Sequence, residues 1–354
     1  MSSGGASAPP AGPRLSVDLD AFAENIAAVR ARVSPAELML VVKDDAYGHG
    51  IQTIVARAVA EGVRWFGAFD VSAAVITRAI SGPESRIFSW LTVGRREIAV
   101  ALDDDIELGV GDAGFLDDVA AVAAARGGVA RVHLKIDTGL HRNGIRPEDW
   151  PAVLEQAMAH ERSGVLRVVG VWSHIAEASD EEDDTSRAQF DAAVAAAEAA
   201  GFTIGVRHLA ASAASFARPE FRYDVVRVGA FCYGIRSAGG PSEEQLGIRP
   251  VARLTAPVIR VDGDDATIAV GALDGLPSLL AGRARVTTSE GARALAEVGP
   301  TESRVQGWPG AAAGDEVVVF GAGGSSATDL AEKIGTVGEE ILVRVSPTVP
   351  REAV

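Results

Sequence analysis

From Leu38 onward, short apolar runs alternate with stretches whose apolar residues recur at helical spacing. The runs at 38–43, 65–70, 86–91, 104–110, 131–137, 166–173, 206–210 and 225–231 read as strands. Short apolar runs bounded by turn residues suit strands buried on both faces. Helices are predicted near 51–61, 71–80, 95–102, 113–126, 147–160 and 185–200, with a shorter one after Ser212. Ahead of them, residues 15–19 alternate like a strand, and Asp20 is placed to cap a helix running to Val33. Eight strands interleaved with helices over about 200 residues predict an α/β fold, a (β/α)8 TIM-type barrel. A doubly wound open sheet is the alternative, but no G-x-G-x-x-G follows any of these strands.

After Gly239-Gly240-Pro241 the pattern changes. Helical periodicity nearly vanishes, and β-branched runs appear at 257–261, 266–270, 316–320 and 340–345 between Gly-Asp pairs and prolines. The predicted division is a barrel over 14–240 and a C-terminal mostly-β domain over 241–354. Residues 1–13, small and proline-rich, read as a disordered leader.

Charge and composition narrow the function classes. The net charge of −15 argues against nucleic acid, which needs a basic surface. The single Cys232 excludes an intrachain disulfide and a multi-thiolate metal site, and fits a reducing compartment. No apolar run reaches membrane-spanning length. The expectation is a soluble cytoplasmic protein with no membrane, metal or nucleic-acid role.

Candidate chemistry falls where barrel strands end, the rim on which barrel enzymes carry their sites. The first barrel strand delivers Lys43 and then Tyr47. The fifth continues through Lys135 and Asp137 to His141 and Arg142. The sixth ends at Ser173-His174, the seventh leads to Ser212, and the eighth carries Arg227 before Gly229 and Ala230. A lysine at a strand end is costly unless its amine is used, and a desolvated lysine can form a Schiff base. Only Lys43, Lys135 and Lys333 occur. Ser212 and the amides at Gly229 and Ala230 lie where barrels often hold phosphate. Amine and phosphate site together point to pyridoxal 5'-phosphate (PLP). Plainer readings stand beside these: Ser212 as a helix N-cap, Arg142 as a loop arginine paired with Asp137, and Asp180–Asp184 as a solvated acidic loop before the next helix.

The stretch Val41-Val42-Lys43-x-x-Ala46-Tyr47-Gly48-His49-Gly50 resembles the PLP-lysine signature of the alanine racemase family, fold-type III PLP enzymes. The resemblance continues through Lys135-Ile-Asp-Thr-Gly-Leu-His-Arg142, Gly170-Val-Trp-Ser-His174, His208-Leu-Ala-Ala-Ser212 and Arg227-Val-Gly229. It implies a PLP barrel and a β domain joined by the strand near 15–19, working as a head-to-tail homodimer on a small amino acid. It implies catalytic roles for Lys43, His174 and Arg142. Lys43 is then the Schiff-base lysine and the base on one face. Tyr47, Ser212, Gly229 and Ala230 hold the phosphate, His174 packs by the ring, and Arg227 faces the pyridine nitrogen. Lys135 resembles a lysine carbamylated in many members, which positions an arginine matching Arg142. A cation at the pyridine nitrogen keeps it unprotonated, favouring proton exchange over transamination.

The family's second-face base is a tyrosine in a Gly-Tyr-x-Asp-Gly motif, and the matching stretch here is Gly271-Ala272-Leu273-Asp274-Gly275. The chain's tyrosines are Tyr47, Tyr223 and Tyr233, none in the β domain. Three readings follow: a slow or altered amino-acid racemase or epimerase; a one-base PLP enzyme such as a β-hydroxy amino acid aldolase; and a non-catalytic PLP-binding homologue or partner subunit of an intact racemase.

Overall fold

The computed structural model describes residues 12–177 and 179–354. The leader expected at 1–13 therefore falls almost wholly outside the described residues. The chain divides into two compact units, one of Ile26–Ala46 and Ile54–Gly229, the other of residues up to Asn25, Tyr47–Thr53 and Ala230–Val354.

Strand Arg14–Val17 (β1) belongs to the latter. The former is built on Glu37–Val41 (β2), Trp65–Asp70 (β3), Arg86–Leu91 (β4), Glu107–Val110 (β5), Ala130–Lys135 (β6), Leu166–Trp172 (β7), Val206–His208 (β8) and Val225–Val228 (β9). These eight pair in parallel in the order β8-β7-β6-β5-β4-β3-β2-β9. Backbone bonds from Asp224 N–H to Arg207 O and Arg227 N–H to Ala210 O close the ring between β8 and β9. The strands are apolar on both faces because helices cover one and a filled interior the other. Met39, Trp65, Phe88, Trp172, Val206 and Val225 fill that interior.

Capping explains the helix limits. Asp70 accepts the Ala73 N–H at 2.8 Å to start Val71–Ser81, and Asp112 accepts that of Phe115 at 2.7 Å to start Ala113–Arg126. Asp18 rather than Asp20 accepts the Ala21 N–H, so that helix spans Leu19–Val33. The acidic run is not a loop. Ser179 caps a helix over Asp180–Ala199, and the run forms its first turn, where the helix dipole favours carboxylates.

The second unit carries Ala252–Asp262 (β10), Asp265–Ile268 (β11), Arg285–Thr288 (β12), Gly291–Val298 (β13), Ser303–Gln306 (β14), Glu316–Phe320 (β15) and Arg351–Ala353 (β16). The sheet order is β11-β14-β13-β12-β15-β10-β1-β16, with β11 also pairing with β10. Strand β1 runs antiparallel to β10 and parallel to β16. The run at 340–345 is not a strand: Gly338–Val343 is helical, burying Ile341 and Leu342 at adjacent positions of one turn.

Candidate active site

Strand β2 ends at Val41, and Lys43 opens a turn with left-handed backbone. Asp44, Asp45, Ala46 and Tyr47 have φ of 53–55°, and Gly48 has φ 78°. L-residues reach this region at roughly 1–2 kcal/mol each, so the surroundings must hold the turn. The Ala46 N–H bonds Val42 O at 3.2 Å. A Cβ on Gly48 would lie 2.8 Å from Leu342 O, so this glycine serves close approach as well as conformation.

Barrel register sets the heights of the other groups. Lys135 pairs with Trp172, Trp172 with His208, and Arg227 with Met39. The Lys135 amine lies over the Trp172 ring, 4.6 Å from its centroid. Burial, with Arg142 and Arg227 nearby, lowers its pKa to about 8.

Arg227 is buried. Its NH1 donates to His208 O at 2.9 Å and His208 Nδ1 at 3.2 Å. Its NH2 donates to Ser173 O at 2.8 Å, Leu209 O at 2.9 Å and His174 Nδ1 at 3.3 Å. The Nε–H alone has no acceptor among the described residues. Burial lowers this pKa to about 9, still a cation at neutral pH. His174 is pushed down to about 3, by burial first and then by Arg227, Arg142, Lys135 and Lys43. Four basic side chains thus lie within electrostatic reach of one imidazole, and Arg227 touches it.

Asp137 does not pair with Arg142. Its carboxylate accepts from the Gly139 and His141 amides at 3.1 and 3.0 Å and from His141 Nδ1 at 2.9 Å. Arg142 stays exposed, within electrostatic reach of Lys135 and His174. Ser212 is not the N-cap of Ser212–Ala217: Ala211 takes that position without a side-chain bond. Glu177 Oε1 instead accepts the Ala214 N–H at 3.0 Å. Gly229 is buried just beyond β9.

Tyr47 and Ala230 belong to the other unit. There Tyr47 packs on Tyr233 at a centroid distance of 4.8 Å, and Ala230 opens a short 3-10 turn. In the same unit Ala272 is exposed in a 3-10 turn. Asp274 accepts the Gly271 N–H at 2.8 Å, and Gly275 has φ 103° with Arg344 O crowding its Cβ position.

Residues 17–237 match the family described as "Alanine racemase, N-terminal domain", and 258–353 match "Alanine racemase, C-terminal domain". The chain belongs to the alanine racemase family. It is 35% identical to the alanine racemase of Beutenbergia cavernae, covering 96% of this chain and 97% of that one. Against the alanine racemase of Frankia casuarinae the identity is 36%, covering 96% and 95%. The crystal structure of alanine racemase from D-cycloserine-producing Streptomyces lavendulae superposes with a TM-score of 0.93 at 33% identity, covering 98% of each chain. The fold is that of the alanine racemase family, barrel and β domain together. Within it, residue patterning did not single out Glu107 and His133, buried in barrel strands and bonded at 2.7 Å. A charged residue at the head of an apolar strand was the available signal.

Proposed function

We propose that this chain is a PLP-dependent amino-acid isomerase of the alanine racemase family acting on a small amino acid such as alanine. The placement of Lys43, Lys135, Arg142 and Arg227 within electrostatic reach of His174, with Arg227 3.3 Å from its Nδ1, carries the reading, because it suits an anionic cofactor and a carboxylate substrate. The donor set fits PLP: an amine on Lys43, amides after β8 and β9 for a phosphate, and the uncommitted Nε–H of Arg227 for a ring nitrogen. When bound, PLP supplies an electron sink that acidifies the hydrogen on the substrate Cα.

Lys43 holds the cofactor through its amine and moves the Cα proton on one face. Ser212 and the Gly229 amide bind phosphate. Arg227 would offer its Nε–H to a ring nitrogen and, as a cation, would keep that nitrogen unprotonated. His174, bare at Nδ1 and neutral, offers only its Nε2–H, so it orients rather than abstracts. Arg142 faces the substrate carboxylate, positioned by Lys135. We read the working form as a head-to-tail homodimer.

The second face is where this chain departs from its family. The turn matching the second-base motif carries Ala272, and residues 245–354 contain no tyrosine, histidine, cysteine or methionine. Losing a positioned acid/base costs about 10²–10⁴-fold in rate. We therefore read racemisation as slow, with water or a carboxylate serving that face. The same alanine favours a second reading, one-base chemistry on a β-hydroxy amino acid.

Incubating PLP-reconstituted protein with L-alanine in deuterated water tests both. Cα exchange with loss of enantiomeric excess is expected, both abolished in Lys43→Ala. Exchange with retained configuration rules out racemisation and supports the one-base reading. A reconstituted protein without a borohydride-sensitive visible band sinks the PLP reading altogether.

A further inference from the structure

Behind Arg227 a line of polar side chains runs through the barrel interior. His208 Nε2 lies 2.9 Å from His133 Nδ1, and His133 Nε2 lies 2.7 Å from Glu107 Oε2. Glu107 also accepts from Arg86 Nε and NH2 at 3.0 and 2.9 Å and pairs with Arg131 Nε at 3.3 Å. His133, His208 and Glu107 are 0–1% exposed. The line is built in, not incidental: a Cβ on Gly170 of β7 would stand 2.3 Å from His133 Nδ1, so glycine there makes room for the imidazole.

The two ends fix the direction of every hydrogen bond between them. An ionised carboxylate only accepts, and two arginines keep Glu107 ionised, so His133 Nε2 carries a proton. A guanidinium only donates, so His208 Nδ1, facing Arg227 NH1, carries none. His208 must then hold its proton on Nε2 and donate to His133 Nδ1. Both imidazoles are neutral Nε2–H tautomers, and no other assignment satisfies all three contacts.

We propose that Glu107 is a positioning residue for Arg227, acting through His133 and His208 as a one-way chain of hydrogen bonds. The chain keeps an acceptor on NH1, which with the carbonyls on NH2 leaves Nε–H as the guanidinium's uncommitted donor. Its bearing on the ring nitrogen rests on the PLP reading above; the chain itself does not.

The test uses full-length protein labelled with ¹⁵N-histidine, first without cofactor. Long-range ¹H–¹⁵N spectra should show His133 and His208 as neutral Nε2–H tautomers, assigned by signal loss in His133→Asn and His208→Asn. In Glu107→Gln, Arg86 and Arg131 pull the amide oxygen toward themselves and turn its NH2 to His133. The chain reverses, and His208 gains an Nδ1–H facing Arg227. PLP added to that variant should bind about tenfold more weakly and absorb at a shifted wavelength. Glu107→Leu, which removes the anchor without supplying a donor, should leave His208 as the Nε2–H tautomer and separates reversal from loss of packing. A wild-type imidazolium or Nδ1–H tautomer at either residue overturns the proposal. So do unchanged tautomers and an unchanged PLP spectrum in folded Glu107→Gln. Wild-type protein that shows the tautomers but takes up no PLP counts against the proposed function instead.

Discussion

Arg227 NH2 donates to His174 Nδ1 at 3.3 Å, so the imidazole at the rim of the barrel has its proton on Nε2. Burial and four neighbouring cations depress its pKa to about 3. The native protein thus binds this proton less readily than the unfolded chain, where histidine titrates near 6.5. Stability from the neutral form is complete above that value and lost as pH falls toward 3. NMR titration should find His174 neutral down to pH 4. Arg227→Met should move its titration upward, and an unmoved midpoint would falsify the electrostatic assignment.

Glu107 predicts a second acid-sensitive step. Burial alone would raise its pKa, but bonds from His133 and Arg86 outweigh that and bring it to about 2. Its contribution is present above about 4.5 and lost as pH falls through 2. A tenfold change in proton affinity corresponds to about 1.4 kcal/mol, so wild type should shed on the order of 3 kcal/mol over that window. Urea unfolding at pH 5 and pH 3 should show about 2 kcal/mol of that loss in wild type and a much smaller one in Glu107→Gln.

Lys135 shows the same sign of dependence at the alkaline end of the scale. With a native pKa of about 8 against an ordinary 10.5, the folded protein holds fewer protons than the unfolded chain between those values. Stability should therefore rise from pH 8 to pH 10. Denaturant melts of wild type and Lys135→Met check this, because only wild type should show the rise. Equal slopes would mean the amine is not desolvated.

Restoring an aromatic acid/base should be visible in the rate. Ala272 is exposed, and its turn is held by the Asp274 cap and Gly275, so a larger side chain can be borne without disturbing the backbone. Ala272→Tyr is expected to raise alanine racemisation about 10²–10⁴-fold over wild type, measured by enantiomer ratio in deuterated water. A rate unchanged in well-folded, PLP-loaded variant protein rejects the missing second base as the cause of slowness.

The barrel was legible because strands covered on both faces leave mostly apolar runs, and those from Leu38 to Val228 coincide with β2–β9 apart from their ends. The helix at Gly338–Val343 was misread because Ile341-Leu342-Val343 is too short for periodicity to separate strand from helix. The acidic run misled for a different reason. Five acidic residues in a row have no apolar period, and only the Ser179 cap ahead of them marks a helix start. Around Lys43, the residue types were legible while the backbone was not. Nothing in Asp44-Asp45-Ala46 announces three consecutive left-handed residues, since only glycine takes that region without cost. Glu107 and His133 escaped because each is satisfied by a partner on a strand 26 positions away, which the charged strand head alone does not name.

The left-handed turn after Lys43 also has a kinetic meaning. Asp44–Tyr47 have no intrinsic tendency toward this conformation, so the segment cannot nucleate and should be set only once its neighbours are folded. By the same argument it should be among the first segments to open. Hydrogen exchange at the Ala46 amide is then expected to run ahead of the β2 amides, freeing Lys43 from its strand through a local excursion that leaves the barrel intact.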